Sequence, residues 1–125
     1  MNYLILTAAL LSGPSVASAA GVFLPSAGVV CDTAGHFCAD REGISMGLTT
    51  QYLGKSAQET LARAVGKGAE VQLWEYTLSN GVHCDAHERQ CYTDRYYPRT
   101  AEKYDTRFTQ HLYGKKRQGG STAGN

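Results

Sequence analysis

A chain of 125 residues and 13.5 kDa has room for one domain, not two. Its Lys and Arg number 12 against 11 Asp and Glu, a formal charge of +1 that argues against binding nucleic acid through an overall basic field. The 42% of hydrophobic and 18% of charged residues give a globular composition, and the one long apolar run lies at the very start, which excludes a multi-pass membrane protein.

That first run reads as a targeting segment. No charged side chain occurs from Met1 to Ala20, and Tyr3 to Leu11 reads YLILTAALL, an apolar core of secretory length that is too short to span a bilayer. Gly13 and Pro14 break it, and Ala17 and Ala19 fit the small-residue rule for cleavage after Ala19. The amino-terminal region lacks Lys and Arg. Residues 1–19 are therefore expected to be a signal peptide and the product to be periplasmic or secreted, with no membrane span after cleavage. Export matters for Cys31, Cys38, Cys84 and Cys91, because an oxidising compartment favours disulfides over thiols or metal sites.

Spacing alone leaves three pairings open. Internal repetition chooses among them. Residues 28–32 read GVVCD and 81–85 read GVHCD, and in each case the next Cys follows seven positions on. Asp40-Arg41 and Asp94-Arg95 lie beyond, and each half ends in a related phrase, TTQYLGK from Thr49 and TQHLYGK from Thr109. Each unit reads as a strand with a Cys, a polar turn, a return strand with the second Cys, and a helix closed by Gly. The expected bonds are Cys31 to Cys38 and Cys84 to Cys91, since a hairpin brings its own two cysteines into bridging range.

In chain order, the first turn is Asp32-Thr33-Ala34-Gly35, and a helix follows with Ser45 as cap, Ile44, Leu48 and Tyr52 as its apolar repeat and Gly54 at its end. Ser56-Ala57-Gln58-Glu59 has the capping-box pattern for a second helix, stopped by Gly66-Lys67-Gly68. Val71 to Leu78 reads VQLWEYTL, a strand, and Asn80-Gly81 turns it antiparallel into the second unit. After the second hairpin, Thr100 is the expected cap of a helix whose stripe is Ala101, Tyr104, Phe108 and Leu112, ended by Gly114. Residues 115–125, KKRQGGSTAGN, read as a disordered basic and Gly-rich tail.

The combination GVVCD, FCADREGIS, LTTQYLGK, LSNGVHCD, HERQCYTDRYY and HLYGK, spread over roughly Ala27 to Gly114, resembles the Fels-1 prophage protein-like family of small exported YcgJ-type proteins. The resemblance implies an exported protein and assigns no activity, cofactor or catalytic residue.

Residues shared by both units are expected to build the unit, and those that break the symmetry are free to serve function. Asp32, Asp85 and the two Asp-Arg pairs fall in the first class, as turn-formers or ion pairs. His83, His87 and Glu88 beside Asp85 break the symmetry, and on spacing alone could offer two imidazoles and two carboxylates to Zn or Cu. Exposed hairpin residues are the commoner case, and no metal or other cofactor is assigned. GxSxG, SxxK and HExxH are all absent, so no enzyme is expected. Tyr92, Tyr96, Tyr97, Tyr104 and Tyr113 are interleaved with Arg95, Arg99 and Arg107, a mixture typical of binding hot spots.

The expectation is one α+β domain over 20–114, in which two disulfide-stapled hairpin-helix pseudo-repeats form a small antiparallel sheet with helices packed on it. The expected function is non-catalytic binding of a protein or cell-envelope component through Tyr96, Tyr97, Arg99, His83 and His87. An inhibitor or immunity protein against an envelope-acting hydrolase or toxin, and a small periplasmic metal-binding protein, are the alternatives.

Overall fold

The computed structural model describes residues 21–67 and 72–114. The expected signal peptide, the expected stop at Gly68, the expected start of the strand at Val71 and the expected basic tail lie outside the described residues. The first unit contributes β1 (Val22–Ser26), β2 (Val29–Asp32), β3 (Phe37–Asp40), β4 (Gly43–Ser45) and α1 (Met46–Leu53). A second helix, α2 (Lys55–Lys67), leads to β5 (Glu75–Thr77), β6 (His83–Asp85), β7 (Gln90–Tyr92), a 3-10 turn (Ala101–Lys103) and α3 (Thr106–Tyr113). The fold is α+β, as expected. Where one sheet was expected there are two, an antiparallel β1-β2-β3-β4 sheet and an antiparallel β5-β6-β7 sheet.

The two hairpins close as their sequences require. Cys31 sits opposite Cys38 and Cys84 opposite Cys91, and each pair is a disulfide with a Cα separation of 4.0 Å. In each turn the Asp after the first Cys accepts local amides, from Gly35 to Asp32 and from His87 and Glu88 to Asp85. The helix then docks by the same bond in both halves: the amide of Cys38 donates to Thr49 Oγ1 at 2.8 Å, and that of Cys91 to Thr109 Oγ1 at 2.8 Å. Four residues before each Thr stands the cap, Ser45 accepting from the Leu48 amide and Asp105 from the Phe108 amide. Each helix closes on a glycine of positive φ, Gly54 at 96° and Gly114 at 85°. Asp40 and Asp94 likewise each accept from the amide two residues on, the turn role expected for them.

Local patterns were misleading at four places. Thr100 makes no side-chain cap bond. The stripe from Ala101 to Leu112 is broken because Tyr104 pairs with Tyr92 in a bridge and Asp105 restarts the helix as its real cap. Ser56 lies inside the first turn of α2, which begins directly after Gly54, whose carbonyl accepts from the Gln58 amide. Among the described residues the strand expected over Val71 to Leu78 is Glu75–Thr77, since Leu73 and Trp74 are bonded elsewhere: the Leu73 carbonyl accepts from Ile44 N at 2.8 Å and that of Trp74 from Ala86 N at 2.8 Å. This seam joins the two sheets, among the described residues, through one main-chain bond instead of a ladder. It needs Gly43, where a Cβ would stand 2.5 Å from the Leu73 carbonyl oxygen and φ is +119°.

One apolar core unites the halves, with Val30, Phe37 and Ala39 from the first sheet meeting Tyr76, Leu78, Val82, Phe108 and Leu112. The Phe37 and Tyr76 rings meet edge to face at 5.6 Å. A smaller cluster under α1 holds Val29 and the first disulfide. Two polar ties also cross between the units: fully buried Asp32 accepts from both the amide and the hydroxyl of Ser79, and His111 Nε2 lies 2.9 Å from the Val29 carbonyl oxygen. Among the described residues no helix is long and apolar enough to cross a membrane. The two disulfides point to an oxidising environment outside the cytoplasm.

Candidate functional site

Successive strand residues face opposite sides of a sheet, so the cysteines define one face of each hairpin and their neighbours the other. In the first hairpin the second face carries Val30, Asp32, Phe37 and Ala39, and of these Val30, Phe37 and Ala39 pack into the shared core. The equivalent positions of the second hairpin are His83, Asp85, Gln90 and Tyr92, joined from β5 by Glu75 and Thr77. A polar face has replaced an apolar one.

Arg99 is laid across this face. Its Nη2 donates to Glu75 Oε2 and lies 2.9 Å from His83 Nε2, while its Nη1 is 3.7 Å from Asp85 Oδ2 and 3.9 Å from Glu88 Oε1. The guanidinium also stacks near the Tyr92 ring at 5.3 Å and the Tyr97 ring at 4.8 Å. His83 Nε2 is 2.8 Å from Glu75 Oε2 and Nδ1 is 2.8 Å from Thr77 Oγ1, so one consistent arrangement has the imidazole N–H donate to the carboxylate and the Thr77 hydroxyl donate to the other nitrogen. Arg99 and then His83, both hydrogen-bonded to Glu75, hold its carboxyl below the usual carboxylate range. Burial, with the hydroxyl's bond to Glu88, pushes the Tyr92 phenol up to about 12.

The five residues singled out from sequence therefore separate into two layers. Tyr96 is 61% exposed and Tyr97 76% exposed, and His87 is exposed with its ring stacked on Trp74 at 4.5 Å. His83, only 7% exposed, and Arg99, whose side chain is 11% exposed, lie beneath as supports instead of contact residues. His83 turns inward because its place in β6 puts it on the face that Arg99 covers. The His83 and His87 spacing that suggested a shared metal does not assemble one, for among the described residues no group of three or more His, Cys, Asp or Glu is placed to hold a metal ion.

The loop bearing the tyrosines is tied down along its length. Asp94 Oδ1 accepts from Tyr96 N at 2.9 Å and from Lys103 Nζ at 3.2 Å, and Lys103 Nζ donates again to the Tyr96 carbonyl at 3.0 Å. The Tyr96 amide first, then Lys103, holds the Asp94 carboxyl below its ordinary range. Thr93 N donates to the Lys103 carbonyl at 2.7 Å. Beside Tyr96 opens a cleft of about 210 Å³ whose lining includes Thr77, Gly81, Asp94 and Arg95. A smaller one of about 140 Å³ lies between Tyr104 and α3. Sequence reasoning missed Glu75, which reads as an ordinary strand residue, and Lys103, which reads as a solvated helix position.

A profile of the family described as YcgJ protein matches residues 22–113. The chain is 42% identical over 79 residues to a curated protein of Escherichia coli (strain K12) named "Uncharacterized protein YcgJ", covering 63% of this chain and 60% of that protein. The match thus spans less than two thirds of the relative's length. No solved structure matches.

Proposed function

Since this chain belongs to the YcgJ family, whose matched relative is named only as uncharacterized, we propose from its own surface that it is an exported, non-catalytic periplasmic binding protein that docks a protein or cell-envelope component on the loop carrying Tyr96 and Tyr97. The observation behind this reading is the combination of two largely exposed tyrosines with a loop held by Asp94, Lys103 and Arg99. Tyr offers a large, amphipathic contact area, and a loop that is ordered before binding loses little entropy when it docks. Exposed aromatic side chains normally cost stability or solubility and so call for a reason when they are presented together. The absence of a recognisable nucleophile or acid-base motif in the sequence supports a binding role over catalysis.

The test is capture from periplasmic extract with the mature, disulfide-bonded chain and with its Tyr96→Ala/Tyr97→Ala variant. The variant should melt like the parent, because both side chains stand in solvent, and should lose on the order of 2 kcal/mol of affinity, about thirtyfold. A folded variant that captures the same partner undiminished would place the docking surface elsewhere.

A further inference from the structure

We infer that the cleft beside Tyr96 is a binding site for one ring of a neutral saccharide, an assignment that rests on the docking surface proposed above and names its ligand chemistry. The cleft of about 210 Å³ is lined by Thr77, Leu78, Ser79, Gly81, Asp94, Arg95 and Tyr96. Sugar rings are recognised by three things together: a flat aromatic face against their C–H bonds, an anchored acceptor for their hydroxyl protons, and a donor for their oxygens. Tyr96 provides the first, being 61% exposed even with the Arg95 guanidinium 5.3 Å from its ring centroid.

Asp94 provides the second. Its Oδ1 is fixed by the Tyr96 amide and Lys103 Nζ, while its other oxygen makes no hydrogen bond among the described residues. The same two bonds keep the carboxyl ionised, so it acts as acceptor only. Arg95 provides the third, with a planar guanidinium that has no carboxylate partner among the described residues.

Charge selects among ligand classes. Of the residues lining the cleft only Asp94 and Arg95 are charged, one of each sign, so the lining itself carries no net charge that would favour an anion or a cation. A ligand bearing many hydroxyls and no charge satisfies both walls at once. The floor is fixed as well, since the Leu78 amide donates to the Val82 carbonyl and the Gly81 amide to the Leu78 carbonyl, closing the turn beneath. The first unit carries no such arrangement, because its chain passes from the Asp40-Arg41 turn straight into β4 and α1 with no tyrosine loop between.

The experiment is amide NMR of the full disulfide-bonded chain titrated with maltotriose, cellotriose and N,N′,N″-triacetylchitotriose, all uncharged. At least one should give saturable shifts centred on Gly81 and on Asp94 to Tyr96, with a dissociation constant on the order of 1 mM, as a shallow single-ring site allows. Tyr96→Ala and Arg95→Ala should each weaken that binding about tenfold or more. Both residues are exposed, and an unchanged melt confirms that the variants fold; Arg95→Ala carries the test if Tyr96→Ala does not. Lack of saturable shifts with all three sugars, or shifts that survive both substitutions, overturns the assignment. Binding only of a charged sugar such as glucosamine or glucuronate overturns it too. Failure here with a Tyr96- and Tyr97-dependent partner still captured would remove the saccharide and leave the docking surface standing.

Discussion

Asp32→Ala tests whether the two units are latched by a buried carboxylate. Asp32 is fully buried, with Oδ1 accepting from Gly35 N at 3.1 Å and Ser79 Oγ at 2.7 Å, and Oδ2 accepting from Ser79 N at 2.6 Å. Truncation leaves two amides and a hydroxyl without this acceptor. Each orphaned buried donor costs about 1–3 kcal/mol, but Gly35 and Ser79 are surface residues and water recovers part of the loss, so the net cost is about 3 kcal/mol. That corresponds to a fall of roughly 15 °C in melting temperature for a domain of this size. Asp32→Asn is a graded control. Its carbonyl must take the Ser79 amide, which turns its NH2 toward the Gly35 amide, while the Ser79 hydroxyl rotates to accept, so one bond is lost and about 1–1.5 kcal/mol with it. Urea melts of the disulfide-intact mature chain measure both. An Asp32→Ala protein within about 0.5 kcal/mol of the parent, or an Asn variant as damaged as Ala, would refute the latch.

Replacing Cys84 and Cys91 together by Ala should cost about 2.5 kcal/mol in the same melts, as a closed loop this short allows, and should leave the first disulfide intact in a non-reducing peptide map. The Glu75 carboxyl is held below its ordinary value of 4.5 in the folded protein, so the stability it contributes is fully present above that range and is lost as pH falls through and below it. Glu75→Gln should therefore flatten the acid limb of the stability profile from about pH 5 downward, and an unchanged slope would contradict the Arg99 and His83 contacts. Mass spectrometry of the exported protein should find a chain beginning at or within a few residues of Ala20, and recovery of intact Met1 from a membrane fraction would remove the export reading.

What the sequence made legible is what is local. Each hairpin, its disulfide and its capped helix are set by residues within about 30 positions of one another, and the two halves show the same pattern twice. The ties that assemble these units are remote: 47 positions separate Asp32 from Ser79, and 82 separate His111 from Val29. No periodicity encodes such pairs. The split of the expected sheet into two has the same origin, because Ile44 meets Leu73 through a single main-chain bond that neither segment announces. The exposed Tyr96 and Tyr97 were recognisable from their setting among arginines, but the inward turn of His83 depends on strand register, which a three-residue strand states only once it is paired.

The two units differ on this face, and the difference bears on why the polar face exists. At equivalent places Val30, Phe37 and Ala39 give the first unit an apolar seam, whereas His83, Gln90 and Tyr92 give the second a network that must desolvate an arginine and several carboxylates. Buried ion pairs gain little over well-packed apolar residues, so stability alone would favour the first solution in both copies. The network even leaves Arg99 Nε buried without a hydrogen-bond partner among the described residues. What it achieves is placement: Arg99 is fixed from below by Glu75 and Asp85, and its guanidinium in turn supports the Tyr97 ring at 4.8 Å. The cost is confined to the one unit that carries the exposed tyrosine loop, which is where the proposed docking role would need it.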